Sequence, residues 1–138
     1  CLTARVRTDY REDKFYIQVG NTERALRDLA ASHTAADLDT LRALQRQAEE
    51  APDTAALAQA LFRYHRGVTF LSGNTITPLL FNAFMQVNLE FWSGYIRSVG
   101  REESLRTLAR FTDLIAAGQG DRAAQLLDDG LRRFVTTL

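Results

Sequence analysis

Apolar side chains recur along most of this chain at intervals of three and four, the spacing that gathers them on one face of a helix. The clearest case is "APDTAALAQALFRYHRGVTFLSG" (51–73), where Leu57, Leu61, Tyr64, Val68 and Leu71 follow one another in that rhythm. Asp53, just after Pro52, predicts the start of that helix and Gly73 its C-cap. "TAADLDTLRALQRQAEE" (34–50) opens with Thr34 and Asp37 in capping-box order and lines up Leu38, Leu41 and Leu44. "NTERALRDLAAS" (21–32) predicts a helix starting at Asn21 or Thr22, with Leu26 and Leu29 as its apolar side.

One long helix is expected from about Asn74 to Val99, with Thr77 as N-cap and Pro78 at the first helical position. It carries two stripes, Leu80, Phe84, Val87 and Phe91 on one and Phe81, Met85, Trp92 and Ile96 on the other. A helix apolar on two sides belongs in the middle of a bundle. "REESLRTLARFTDLIAAG" (101–118) has acids in its first turn and a closing Gly118. "GDRAAQLLDDGLRRFVTTL" (120–138) has Asp121 as cap, with Leu127, Leu131, Phe134 and Leu138 on one face. In residues 2–19, Leu2, Val6, Tyr10 and Ile17 suit a helix, while "FYIQV" alternates enough for a short strand. The pattern as a whole predicts an all-α fold: a single domain over 1–138, an antiparallel bundle of six to seven helices with short loops.

Charge narrows the function. Seventeen basic and seventeen acidic side chains cancel, leaving no net positive field to hold DNA or an acidic membrane unaided. The most apolar region, 76–96, is interrupted by Pro78, Asn82, Gln86, Asn88, Glu90 and Gly94, so it reads as a buried soluble helix, with no membrane partner. The lone Cys1 makes neither an internal disulfide nor a thiolate metal site, which fits a reducing cytoplasm. A first residue other than Met leads us to expect a piece of a longer protein.

Few residues stand out as candidate chemistry. His65 shares a helical face with Ala58, Phe62, Thr69 and Ser72, beside the main apolar stripe. It either looks into a partly polar cavity or is a core-edge histidine with its hydrogen bond satisfied. Asn88, Trp92 and Tyr95 fall along one side of the next helix. Buried amide, indole and phenol groups all need partners, so they either line a small-molecule pocket or bond to neighbouring helices. Arg7, beside Thr8, has the planar fork that suits a carboxylate or phosphate, or else is simply solvated. The only other histidine is His33, in a loop, and no two-His helix motif occurs, so no metal is expected. With no triad, no Gly-rich phosphate loop and no paired acids, neither an enzyme nor a cofactor is expected.

"FRYHRGVTFLSGNTITPLLFNAF" (62–84) resembles the central part of the effector-binding domain in the FadR subfamily of GntR-type bacterial transcription regulators. Tyr64-His65 match the family's aromatic-His pair, and Ser72-Gly73-Asn74 match its Ser-Gly-Asn in register. "LIAAGQGDRAAQLLDDGL" (114–131) resembles the subfamily's last two helices. Many relatives hold a divalent metal with an Asp, this His and two later His. Here the Asp position is Leu61, the last-helix position is Gly130, and no histidine follows His65. Within the fatty-acid-responsive branch, Val6-Arg7-Thr8, Arg66-Gly67, Phe70 and Asn82 read alike, though Arg133 and Thr137 depart from its pattern. There the matching Arg-Thr and glycine line the gap where acyl-CoA enters, which implies Arg7, Thr8 and Gly130 here.

The resemblance therefore implies an effector-binding and dimerisation domain whose N-terminal winged helix-turn-helix lies outside 1–138. Its expected partners are a small-molecule effector (a fatty acyl-CoA or another organic acid), a second copy in a homodimer, and DNA only through the absent domain. Arg7 would meet the acid or phosphate. Thr8, Thr69 and Gly130 complete the ligand-binding set, with His65, Asn88, Trp92 and Tyr95 on the polar side and Phe62, Phe84 and Met85 as apolar wall. The alternative is a helical interaction module without a ligand.

Overall fold

Local signals fix where most of the helices begin and end. The computed structural model describes residues 19–136, and among them are seven helices and no strand. They are α1 (19–32), α2 (Ala35–Glu49), α3 (Thr54–Leu71), α4 (Thr77–Ala83), α5 (Met85–Val99), α6 (Arg101–Ala116) and α7 (Gly120–Thr136). Arg7, Thr8 and the expected element over 2–18 lie outside the described residues.

The Thr34–Asp37 capping box forms: the Asp37 N–H donates to Thr34 Oγ1 at 3.1 Å, and the Thr34 N–H to Asp37 Oδ2 at 3.0 Å. Asp53 caps α3 by accepting from the Ala56 N–H at 2.8 Å. Gly73 follows α3 with φ 89°, the left-handed geometry that ends a helix at little cost for glycine.

Other expected boundaries move. Residues 19 and 20 are already helical, so Asn21 and Thr22 lie inside α1. Val19 packs on the core and Thr22 is buried, and this packing outweighs the weak helix propensity of Gly20 and Asn21. The single helix expected over 74–99 divides in two. Asn74 Oδ1 accepts from the N–H groups of Ile76 and Thr77 at 2.9 and 3.0 Å, so Thr77 is the first helical residue and not the cap. At Phe84 (φ −111°, ψ 27°) the backbone leaves helical geometry between α4 and α5. The bend carries Met85 outward to 41% exposure while Phe81, Trp92 and Ile96 remain buried. Leu80, Phe84, Val87 and Phe91 are only half-buried, so α5 hides one face rather than two. Asp121 falls in the first turn of α7 and pairs with Arg27 of α1 at 3.0 Å instead of capping.

α3 is the hub, packed against α2, α4 and α5, while α6 packs against α2, α5 and α7. Leu57, Tyr64 and Val68 on α3 are fully buried, as are Leu26, Leu29, Leu41, Leu108 and Ile115. Each such leucine or isoleucine contributes about 1.5–3 kcal/mol relative to exposure. α1 and the start of α7 touch backbone to backbone, since a Cβ on Gly120 would stand 2.7 Å from Arg27 Cα. No helix among the described residues is long and apolar enough to cross a membrane.

Candidate functional site

Tyr64 and His65 are neighbours in sequence, so a helix turns their side chains about 100° apart. Tyr64 hydrogen-bonds through its hydroxyl to Thr112 Oγ1 of α6 at 2.7 Å. His65 turns toward α5 and lies flat on Trp92, ring centroids 4.7 Å apart and planes 2° from parallel. Phe111 of α6 meets His65 edge-on at 5.4 Å, and Tyr95 meets Trp92 edge-on at 5.6 Å. These distances and tilts lie within the favourable range for aromatic pairs.

Two small voids border the stacked pair, each of about 20 Å³. Both are lined by His65, Trp92, Leu127 and Leu131. The first continues toward α6 along Leu61, Tyr95, Thr107 and Gly130. The second continues toward α1 and α4 along Val19, Thr22, Phe81 and Asn88. A polar void holds a water once it offers roughly 10–15 Å³, so each has room for about one.

The polar atoms here are unusual for a helical core. His65 Nδ1 and Trp92 Nε1 are buried without a hydrogen-bond partner among the described residues. Other buried polar groups nearby are served: Thr69 donates to the Arg66 carbonyl, Ser104 to the Gly100 carbonyl and Asn88 to the Phe84 carbonyl. Each unserved buried group costs about 1–3 kcal/mol. Burial in apolar surroundings also pulls the His65 pKa down to about 4, so its ring is neutral at pH 7. The site thus offers a neutral imidazole and an indole N–H to one uncharged polar atom, between aromatic walls.

Asn88, Trp92, Tyr95 and Gly130 all line this region with His65. Phe62, Thr69 and Phe84 line neither void. Phe62 instead packs on Phe81, with the Arg66 guanidinium over its ring at 5.5 Å. Phe84 sits at the α4–α5 bend. Phe111, Thr107 and Thr22 join the site without a sequence pattern that distinguishes them. Phe111 follows Leu108 and precedes Ile115 at ordinary core spacing.

Leu61, His65 and Gly130, the positions aligned above with metal ligands, do converge on the first void. They supply one imidazole, an alkyl chain and no side chain at all, and the lining holds no carboxylate. No group of three or more His, Cys, Asp or Glu gathers among the described residues. A divalent ion requires four or more donors, so the site does not fit one.

No curated protein and no solved structure matches the chain. The family model described as FCD domain matches residues 22–133, a span that takes in the His65–Trp92 pair and nearly all of the void lining. The chain therefore belongs to the FCD-domain family, the effector-binding C-terminal domains of GntR-family regulators.

Proposed function

We propose that this domain senses an apolar small-molecule effector, a fatty acyl-CoA or another organic acid, beside the His65–Trp92 pair. Binding modulates DNA attachment by a separate N-terminal winged helix-turn-helix domain in a cytoplasmic bacterial homodimer. The observation that carries the reading is a pair of buried polar atoms, His65 Nδ1 and Trp92 Nε1, without a hydrogen-bond partner among the described residues. A ligand's polar atom placed between them would complete their bonding. The mechanism is population shift: a ligand that favours one arrangement of the helices moves the equilibrium toward it and changes the spacing of the attached domains. No bond-making step is required. Dimerisation is supported by Phe70 and Leu79, both about two-thirds exposed and flanking one surface groove.

The small size of the voids favours a second reading, a ligandless interaction module packed with its own aromatics. Native mass spectrometry of the purified chain, as isolated and after incubation with an acyl-CoA and organic-acid series, separates the two. A non-covalent mass excess matching one of these ligands is expected. No excess in any sample would leave the interaction module standing, with His65→Ala altering stability alone.

A further inference from the structure

Voids of about 20 Å³ fall far short of the roughly 300–1,000 Å³ of small-molecule sites. A molecule larger than water therefore reaches the His65–Trp92 pair only if part of the wall moves. Of the helices that bound the second void, α4 is held least. It is seven residues long, and only Thr77 and Phe81 are buried. A helix so short has no stability of its own in water and depends on those contacts. α1, by comparison, buries Leu26 and Leu29 completely and meets α7 backbone to backbone at Gly120. α5 buries Asn88, Trp92, Tyr95 and Ile96, and α7 buries Ala123, Ala124, Leu127 and Leu131.

Both ends of α4 are already broken. Gly73 precedes it with a φ of 89°, and at Phe84 the backbone leaves helical geometry again. Such breaks are where a hinge absorbs backbone rotation. Among the described residues, one side-chain hydrogen bond ties α4 to another helix, from the Arg66 guanidinium of α3 to Asn82 Oδ1 at 2.8 Å. On the inner side the Phe81 ring, 5.8 Å from Phe62, forms part of the second void's wall. A segment with few buried contacts opens at a lower cost than the whole fold.

On the effector reading above, we propose that α4 is a lid: it swings between Gly73 and Phe84, withdraws Phe81, and joins the second void to solvent beside His65 and Trp92. The Arg66–Asn82 bond is its latch and Phe81 its plug. Leu79, on the exposed side of α4, flanks the surface groove described above, so opening the lid shifts one wall of that groove.

Trp92 is the only tryptophan in the chain, and its emission reports on access to the site. The experiment needs no effector. Native-state hydrogen exchange of the full chain follows the amides of α3 and α4, and acrylamide, a small neutral molecule, quenches Trp92. The α4 amides are expected to exchange about a hundredfold or more faster than those of Leu61 to Val68, through an opening that urea does not promote. Asn82 is exposed, so Asn82→Ala leaves the core intact. It should speed α4 exchange by about threefold to tenfold, the contribution of one surface hydrogen bond, leave α3 unchanged and raise the quenching of Trp92. Exchange of α4 in step with α3, or an Asn82→Ala variant that changes nothing, would overturn the proposal. Faster α4 exchange without greater quenching would overturn it too, since the helix then frays without uncovering the site. So would equal acceleration of α3, the mark of a general loss of stability. Each of these outcomes leaves the effector reading standing, because native mass spectrometry tests that separately.

Discussion

Two adjoining faces of α3 are built to different standards. The face of Leu57, Tyr64 and Val68 is fully buried, and the Tyr64 hydroxyl is paired with Thr112. The face of His65, one residue away, is as deeply buried, yet its ring Nδ1 has no hydrogen-bond partner among the described residues, and it lies opposite an indole N–H in the same condition. Burial alone does not separate a structural face from a functional one. What separates them is whether the buried polar atoms have been given partners.

The sharpest way to break this contrast is to truncate the well-packed face. Leu57→Ala is expected to destabilise the domain by about 2–5 kcal/mol in chemical denaturation, the cost of an internal cavity where nothing is free to collapse. pH tests the other face. His65 is neutral in the fold, with its pKa pulled to about 4 from 6.5, while the unfolded chain binds the proton more readily. Its contribution is therefore fully present above pH 6.5 and is lost as pH falls toward 4, by roughly 3 kcal/mol across that window. Urea titrations between pH 4 and 7 should show this slope in the wild type and a shallower one in His65→Leu.

Smaller effects sharpen the comparison. Tyr64→Phe removes a satisfied hydroxyl and should cost about 1 kcal/mol at pH 7. His65→Leu at pH 7 should go the other way, from neutral to about 1 kcal/mol stabilising, because it deletes an unserved polar atom in a spot with a little spare volume. If both substitutions destabilise equally, the distinction between the two faces fails.

The sequence displayed the bundle more fully than the site. Thr34 with Asp37, and Asp53 after Pro52, announced two helix starts because a cap is a short-range event written in adjacent residues. The bend at Phe84 leaves no such mark, since no proline or glycine stands there, and an unbroken helical period places Met85 on an apolar wall that it turns away from. Asn88, Trp92 and Tyr95 were recognisable as a group from their shared side of one helix. Their meeting with His65, and the convergence of Leu61 and Gly130 from two other helices, depends on tertiary packing that no single helical period encodes. Phe111 shows the same limit, because an aromatic at core spacing gives no sign of which ring it will touch.

α5 and α6 are joined by one residue, Gly100, whose φ of 91° lets the chain turn without a loop. α5 carries the indole and phenol of the site, and α6 carries Phe111. With no slack between them, the two helices work as arms on a single pivot. No loop stands between α5 and α6 to take up a shift of one against the other, and α6 in turn packs against α2 and α7.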